Sequence, residues 1–139
     1  MAKLRADRRN YRKAFTTHAN AYDNWNVGSD NSRRLLLCYC VECGLKCLIM
    51  INDRIFEVAQ ANEETKAVLG SHDFKILLKK VNQAGNYILN QFVSEYNETV
   101  IPSEYHQLCR YAIAPQNTND VKKFERTLTE IKEWLKEVI

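Results

Sequence analysis

One segment of the sequence is apolar around almost its whole circumference when it is drawn as a helix. It runs from Asn31 to about Asn52, and its one polar gap holds Glu42 and Lys46. These two residues are four apart, so their side chains lie on a single face. Such a helix has to be central in a bundle or buried at a subunit contact. Its two charges also interrupt the longest apolar stretch, so the sequence predicts no membrane span.

Residues that break helices are scarce in the rest of the chain. The 139 residues include only 4 Gly and 2 Pro, too few for a sandwich or barrel of short strands. Apolar side chains instead recur at three- and four-residue steps. They predict helices over about 4–25, 31–52, 71–96 and 102–111 and from 119 or 120 onward, with a short helix near 63–68. We therefore expect one all-α domain over residues 1–139, an up-and-down bundle of about five helices.

The charge of the chain is only weakly informative about partners. A net charge of +3 is too small to require a nucleic-acid partner. Cations crowd the start of the first helix at Lys3, Arg5, Arg8, Arg9, Arg12 and Lys13, opposed there by Asp7. They serve either as phosphate contacts or as a solvated face, and the lack of interleaved aromatic residues favours the solvated face. Residues 1–9 lack the apolar segment of a secretory signal, so the expected compartment is the cytoplasm.

Four of the five cysteines lie within ten positions, at Cys38, Cys40, Cys43 and Cys47. Four thiols are the number that a structural zinc site needs. On a helix, however, Cys38 points roughly 160° away from the middle of the face that the other three share. One rigid helix cannot wrap all four around a tetrahedral ion. We expect small buried core residues, no metal, no cofactor and, in a reducing compartment, no disulfides.

The fourth predicted helix supplies a candidate site. His106 and Arg110 are four residues apart, so both project from one side of it. A neighbouring guanidinium keeps an imidazole neutral and able to act as a base. Helix lengths place Arg110 at about the same level along the bundle as Glu42. Glu42 needs a partner, because an unpaired buried carboxylate is unfavourable. Arg110 or Lys46 can be that partner, in either a structural ion pair or a functional cleft.

The other two histidines have structural explanations. His18 lies on the apolar stripe of the first helix, as a core histidine does, and His72 lies at a predicted helix start, as a cap or hinge contact. No Gly-rich phosphate loop, nucleophile elbow or paired His–Glu zinc motif occurs in the sequence.

Three stretches form a pattern that covers nearly the whole chain in order and spacing. They are Leu36–Lys46, which contains Tyr39 and Glu42, then Ser71–Leu78, which contains His72 and Asp73, and then Arg110-Tyr111 before an amphipathic last helix. This pattern resembles the HEPN family of small prokaryotic helical bundles. The resemblance implies a homodimer that places residues of both subunits in a shared cleft. It also implies a metal-independent ribonuclease, either a toxin beside a nucleotidyltransferase antitoxin or part of a phage-defence system.

The sequence departs from the active motif of that family at one position. The family motif is an arginine followed, after four to six residues, by a histidine just before the last helix. Arg110 matches, but Asn117 occupies the histidine position, and an amide cannot transfer protons near neutral pH. Either His106 supplies the missing group or this protein does not cut RNA. Arg12 and His18 fit the spacing literally, but their side chains are about 240° apart on the first helix.

Two functional hypotheses follow from the sequence. In the first, an HEPN-like homodimer engages RNA or a nucleotide and acts as a metal-independent ribonuclease. Arg110 then stabilises phosphate charge, His106 is the base, and Glu42 and Asn117 position them; the predicted RNA contacts are Tyr111, Lys46, Arg12 and Lys13. In the alternative, the bundle is inactive and binds a partner protein, an antitoxin or a defence effector, through its apolar second helix.

Overall fold

The protein is mostly helical in the computed structural model, which describes residues 6–139. The elements are α1 (Arg8–Asp23), α2 (Asp30–Asn52), α3 (Glu63–Leu69), α4 (Phe74–Lys80), β1 (Phe92–Val93), β2 (Thr99–Val100), α5 (Tyr105–Arg110) and α6 (Thr118–Val138). Single 3₁₀ turns lie at Val58–Gln60 and Pro102–Glu104. The predicted all-α class is therefore confirmed, with one short antiparallel hairpin added to it.

Helix α2 is the centre of the fold. Ser29 begins it by accepting a hydrogen bond from the backbone N–H of Ser32 at 3.1 Å. Helices α1, α4, α5 and α6 all pack against it, and Leu37, Val41 and Leu45 have no solvent exposure. Of the two arrangements that the sequence allows, central burial is the one that the chain adopts.

Length and composition alone would also allow α2 to cross a membrane. In the fold, 61% of its apolar 18-residue window is buried inside the protein, as in the core helix of a soluble protein. The absence of a membrane span stays a prediction from the sequence.

Polar contacts fix α6 to α1 and α2. Glu125 of α6 accepts hydrogen bonds from the Tyr22 hydroxyl at 2.6 Å and from Arg34 Nε at 2.9 Å. Lys132 of α6 is buried and pairs with Asp23 at the end of α1. A buried ammonium needs such a partner, because an unpaired one is strongly unfavourable.

Residues 71–96 do not form the single helix that the apolar spacing predicts. Helix α4 ends at Lys80, and Asn82 takes a left-handed φ of 59°, a conformation that commonly ends helices. Phe92 still reaches the core, but from β1, while Ile88 and Tyr96 are exposed. The fold over residues 6–139 therefore has six α-helices where the sequence predicts about five, and three of them are only 6 or 7 residues long.

The start of α1 also differs from the prediction. Asp7 caps the helix by accepting a hydrogen bond from the backbone N–H of Asn10 at 2.9 Å, so α1 begins at Arg8. The predicted start at Leu4, and the cations at Lys3 and Arg5, lie outside the described residues.

Gly44 allows α1 and α6 to pack closely against α2. A Cβ at this position would lie 2.6 Å from Phe15 Cδ1 of α1 and 2.7 Å from Leu135 Cδ1 of α6. Both neighbouring side chains are buried. Packing of this density leaves no room for an added methyl group.

Replacing Gly44 with alanine should therefore destabilise the protein. Alanine is favoured over glycine in a helix by about 1 kcal/mol, but overpacking costs about 1–3 kcal/mol. We expect a net loss of unfolding free energy in urea denaturation. Gly85→Ala is the matched control, because no heavy atom lies within 4 Å of a Cβ there; its stability should be unchanged or slightly higher. A G44A protein as stable as the wild type would contradict this account of the packing.

Candidate functional site

A cavity of about 260 Å³ lies between α2, α5 and the start of α4. Its lining residues are Cys38, Tyr39 and Glu42 from α2, His72 and Phe74 from the start of α4, and His106 and Arg110 from α5. Three chain segments that are distant in the sequence thus bring two imidazoles, a guanidinium, a carboxylate and a phenol together. Such a mixture of acid, base and cation is what a site for phosphate chemistry needs.

A larger groove of about 510 Å³ lies along α6 but offers less chemistry. Its lining residues are Tyr22, Lys122, Glu125, Arg126, Thr129, Glu130 and Glu133. Tyr22 and Glu125 already bond to each other, and the set contains no histidine or cysteine. We therefore treat the smaller cavity as the candidate site.

Helix geometry positions the side chains that α2 and α5 contribute. Tyr39 and Glu42 are three residues apart and His106 and Arg110 four apart, so each pair shares one helix face. Both pairs line the cavity, which confirms the predicted common side of His106 and Arg110. Cys38 adds a buried thiol to the wall.

A tight turn before α4 presents His72. Ser71 Oγ accepts a hydrogen bond from the backbone N–H of Asp73 at 3.0 Å, and Asp73 Oδ1 accepts one from the backbone N–H of Lys75 at 2.9 Å. The N-cap of α4 is therefore Asp73, and the helix begins at Phe74 rather than at residue 71 as the sequence predicts. His72 lies between these two anchored residues, just outside the helix.

Glu42 is held by two partners. Its Oε1 lies 3.0 Å from His72 Nδ1, and its Oε2 lies 3.4 Å from Lys46 Nζ. Because a carboxylate only accepts hydrogen bonds, Nδ1 of His72 carries a proton and Nε2 is the ring nitrogen left for a ligand. The predicted pairing with Lys46 is confirmed, but His72 takes the place that the sequence offers to Arg110.

Lys46 itself is almost fully buried. It is only 5% exposed, because its position on the central helix turns it into the fold. Its ammonium pairs with Glu42 from inside the fold. In this structure Lys46 supports the carboxylate and offers little surface for the RNA contact that the sequence predicts.

Arg110 lies exposed at the rim of the cavity. Its Nη2 donates a hydrogen bond to the Tyr39 hydroxyl at 3.4 Å, and the ring of Tyr39 packs against His18 with 5.9 Å between centroids. The Tyr39 phenol, with a smaller contribution from Tyr111, raises the pKa of Arg110. The guanidinium is therefore charged and reachable by an anion from solvent.

His106 is half-buried in the wall of the same cavity. Burial, followed by the charges of Arg110 and His72, lowers the pKa of His106, and Glu42 opposes this shift only in part. The ring is therefore neutral near pH 7, as its spacing from Arg110 predicts. Burial is the larger cause of the lowered pKa, and the spacing alone does not reveal it.

Four other residues with predicted roles lie outside the cavity lining. Asn117 is exposed and caps α6 by accepting a hydrogen bond from the backbone N–H two residues on, at 2.9 Å. That cap engages its side-chain oxygen, and its predicted role of positioning Arg110 and His106 stays a prediction. Tyr111 follows Arg110 at the end of α5, and Arg12 and Lys13 lie on α1; all three are exposed.

The sequence does not identify His72 or Tyr39 as site residues. His72 is 30 residues from Glu42, and its hydrogen bond to that carboxylate depends on tertiary packing. The available signal was the family-like pattern itself, since it contains both the tyrosine three residues before Glu42 and the His-Asp pair at a helix start.

The cysteines behave as core residues. Cys38, Cys40, Cys47 and Cys109 are buried and Cys43 is half-buried, and all five are free thiols, which confirms the core prediction. Burial raises the pKa of Cys40 to about 12 and that of Cys43 to about 11, so both thiols stay protonated and unreactive. Within residues 6–139, no group of three or more His, Cys, Asp or Glu side chains is arranged to hold a metal ion.

Comparison of this chain with family models, with curated proteins and with solved structures finds no match. The HEPN resemblance therefore rests on the sequence pattern.

The lowered pKa of His106 should make the protein less stable in acid. Burial lowers the pKa of His106 below its ordinary value of 6.5, so this imidazole binds a proton more readily in the unfolded chain. The free energy of unfolding therefore decreases as the pH falls from 6.5 toward the folded-state pKa. We expect His106→Gln to lose less unfolding free energy than the wild type between about pH 7.5 and about pH 5, measured by urea denaturation. Gln107→Ala, an exposed neighbour on α5, should lose as much as the wild type. An equal loss in His106→Gln would show that burial does not disfavour the charged imidazole.

Proposed function

We propose that the cavity binds a phosphodiester group of RNA and that the protein is an HEPN-like, metal-independent ribonuclease. The observation that supports this most is the shared cavity of His106 and Arg110. A neutral base and an accessible guanidinium in one cavity are the groups that such a cleavage needs.

His106 and Arg110 have different roles in this reaction. The His106 imidazole, kept neutral by its surroundings, accepts the proton of the ribose 2′-hydroxyl. The Arg110 guanidinium binds the phosphate and stabilises the charge that develops on its oxygens. Side chains four apart on a helix have Cβ atoms about 5–6 Å apart, which suits a hydroxyl and its neighbouring phosphate.

His106 takes over the role of the histidine that the family motif would place at Asn117. It lies one turn before Arg110 instead of after it, and it lines the cavity whereas Asn117 caps α6. Exposed Tyr111, Arg12 and Lys13 are proposed as further RNA contacts, through stacking at the rim and through phosphate charge on α1.

The resemblance to the HEPN family extends this proposal to its setting. It supports a cytoplasmic homodimer in a toxin–antitoxin or phage-defence system, with a nucleotidyltransferase antitoxin or a defence effector as partner. The second candidate function is an inactive module that binds such a partner protein. Asn117 in place of the motif histidine favours it, whereas the burial of most of α2 leaves less of its apolar face for such a contact.

Cleavage of a short RNA in the presence of a chelator tests the proposal. We expect the wild type to cut it, and Arg110→Ala and His106→Ala to be slower by about 10²–10⁴-fold, measured as initial rates on a gel. Gln107→Ala lies on the same helix outside the cavity lining and should keep the wild-type rate. DNA of the same sequence should stay intact, because it lacks the 2′-hydroxyl.

Other outcomes have defined meanings. Equal cleavage by every variant would indicate a contaminating nuclease and would contradict the proposal. RNA binding without cleavage by the wild type, weakened by Arg110→Ala, would reduce the proposal to an RNA-binding site. No cleavage and no RNA binding would leave the interaction module as the better hypothesis.

A further inference from the structure

The cavity contains a second imidazole that the reaction described above does not use. We propose that His72, oriented by Glu42, is the general acid of this site and donates its Nε2 proton to the leaving 5′-oxygen of the RNA. The inference rests on the proposed ribonuclease function and adds a residue to its mechanism.

The ring of His72 is held in one orientation. Glu42 Oε1 lies 3.0 Å from Nδ1 of His72, which fixes that nitrogen and leaves Nε2 free to face a ligand. A carboxylate in this position holds an imidazole in one orientation and provides the counter-charge for its protonated form. The pair thus has the arrangement of an oriented proton donor.

The carboxylate that orients His72 is itself held in place. Lys46 Nζ contacts the other carboxylate oxygen at 3.4 Å, and this lysine is buried on the central helix. Backbone anchors on both sides of His72, at Ser71 and Asp73, fix the turn that carries the ring. The histidine side chain remains 69% exposed, so a polymer can reach it.

The two histidines of the cavity have neighbours of opposite charge. His106 adjoins the positive Arg110, whereas His72 adjoins the negative Glu42, and a charge on His72 disfavours a charge on His106. Neighbouring titratable groups whose environments differ in this way divide into a base and an acid. They also come from different elements, α5 and the turn before α4, so they can approach a phosphate from different sides.

The reaction balances with these two groups alone. The 2′-oxygen attacks phosphorus as its proton passes to His106, and a bond from phosphorus to the 2′-oxygen forms. The bond from phosphorus to the 5′-oxygen breaks, and that oxygen takes the Nε2 proton of His72. The products are a 2′,3′-cyclic phosphate and a 5′-hydroxyl, and proton exchange with water restores both rings.

Two substrates that differ in the leaving group test the role of His72. A dinucleotide such as UpA has an alkoxide leaving group, which needs a proton. Uridine 3′-(p-nitrophenyl phosphate) releases a stable phenolate, which needs none. We expect His72→Ala to be slower by about 10²–10⁴-fold on UpA and nearly unchanged on the aryl ester. His106→Ala should be slow on both, because both reactions need the base.

Two further variants separate catalysis from structure. Glu42→Gln should slow UpA cleavage more than aryl ester cleavage, because the amide no longer provides the counter-charge for His72. Since it also leaves Lys46 without its carboxylate, its Tm is compared with that of His72→Ala, an exposed position. Lys75→Ala, exposed in the first turn of α4, is the control and should cleave both substrates at the wild-type rate.

The outcomes distinguish this inference from the proposed function. Full activity of His72→Ala on UpA, or an equal loss on both substrates, would overturn the acid role while the ribonuclease proposal stands. A wild-type protein that cleaves neither substrate would overturn both. Selective loss on UpA alone, with an unchanged Tm, supports the assignment.

Discussion

The charge of Glu42 is the constraint on which the arrangement of the cavity depends. This carboxylate lies next to fully buried apolar residues of the central helix, Val41 and Leu45 among them, where an unpaired charge would be strongly unfavourable. Lys46 neutralises one oxygen from within the fold, and His72 occupies the other. The contact between His72 and Glu42 joins the turn before α4 to α2. The hydrogen bond that this carboxylate accepts therefore also forms one wall of the cavity.

The elements that the sequence predicts well are those whose pattern is local. The all-round apolarity of α2 requires burial, and the clean stripe of α6, with Leu128 and Leu135 fully buried, requires a core-facing helix. The long third helix is wrong because a four-residue spacing of Ile88, Phe92 and Tyr96 fits a helix but does not require one. Asn82 ends α4 through its backbone conformation, a property that periodicity does not contain.

In the site, too, contacts within one helix can be predicted from the sequence, whereas contacts between distant segments cannot. His106 and Arg110 are brought together by helix geometry within a single turn, so their spacing is enough to predict a common side. Helix lengths also place Arg110 near the level of Glu42, but length does not reveal which direction a side chain takes, and the guanidinium turns to Tyr39. The contact between His72 and Glu42 joins segments 30 residues apart, so only the folded chain shows it.

The cavity is lined by segments that are synthesised at different times, α2 first and α5 last, and this order matters during translation. Helix α2 emerges early from the ribosome, but the cavity is incomplete until residue 110 has been added and α5 has packed against α2. Domains form as units once their segments are available. A nascent chain therefore presents no assembled cavity to the messenger and ribosomal RNA around it, and any chemistry of the cavity has to wait until α5 has left the ribosome.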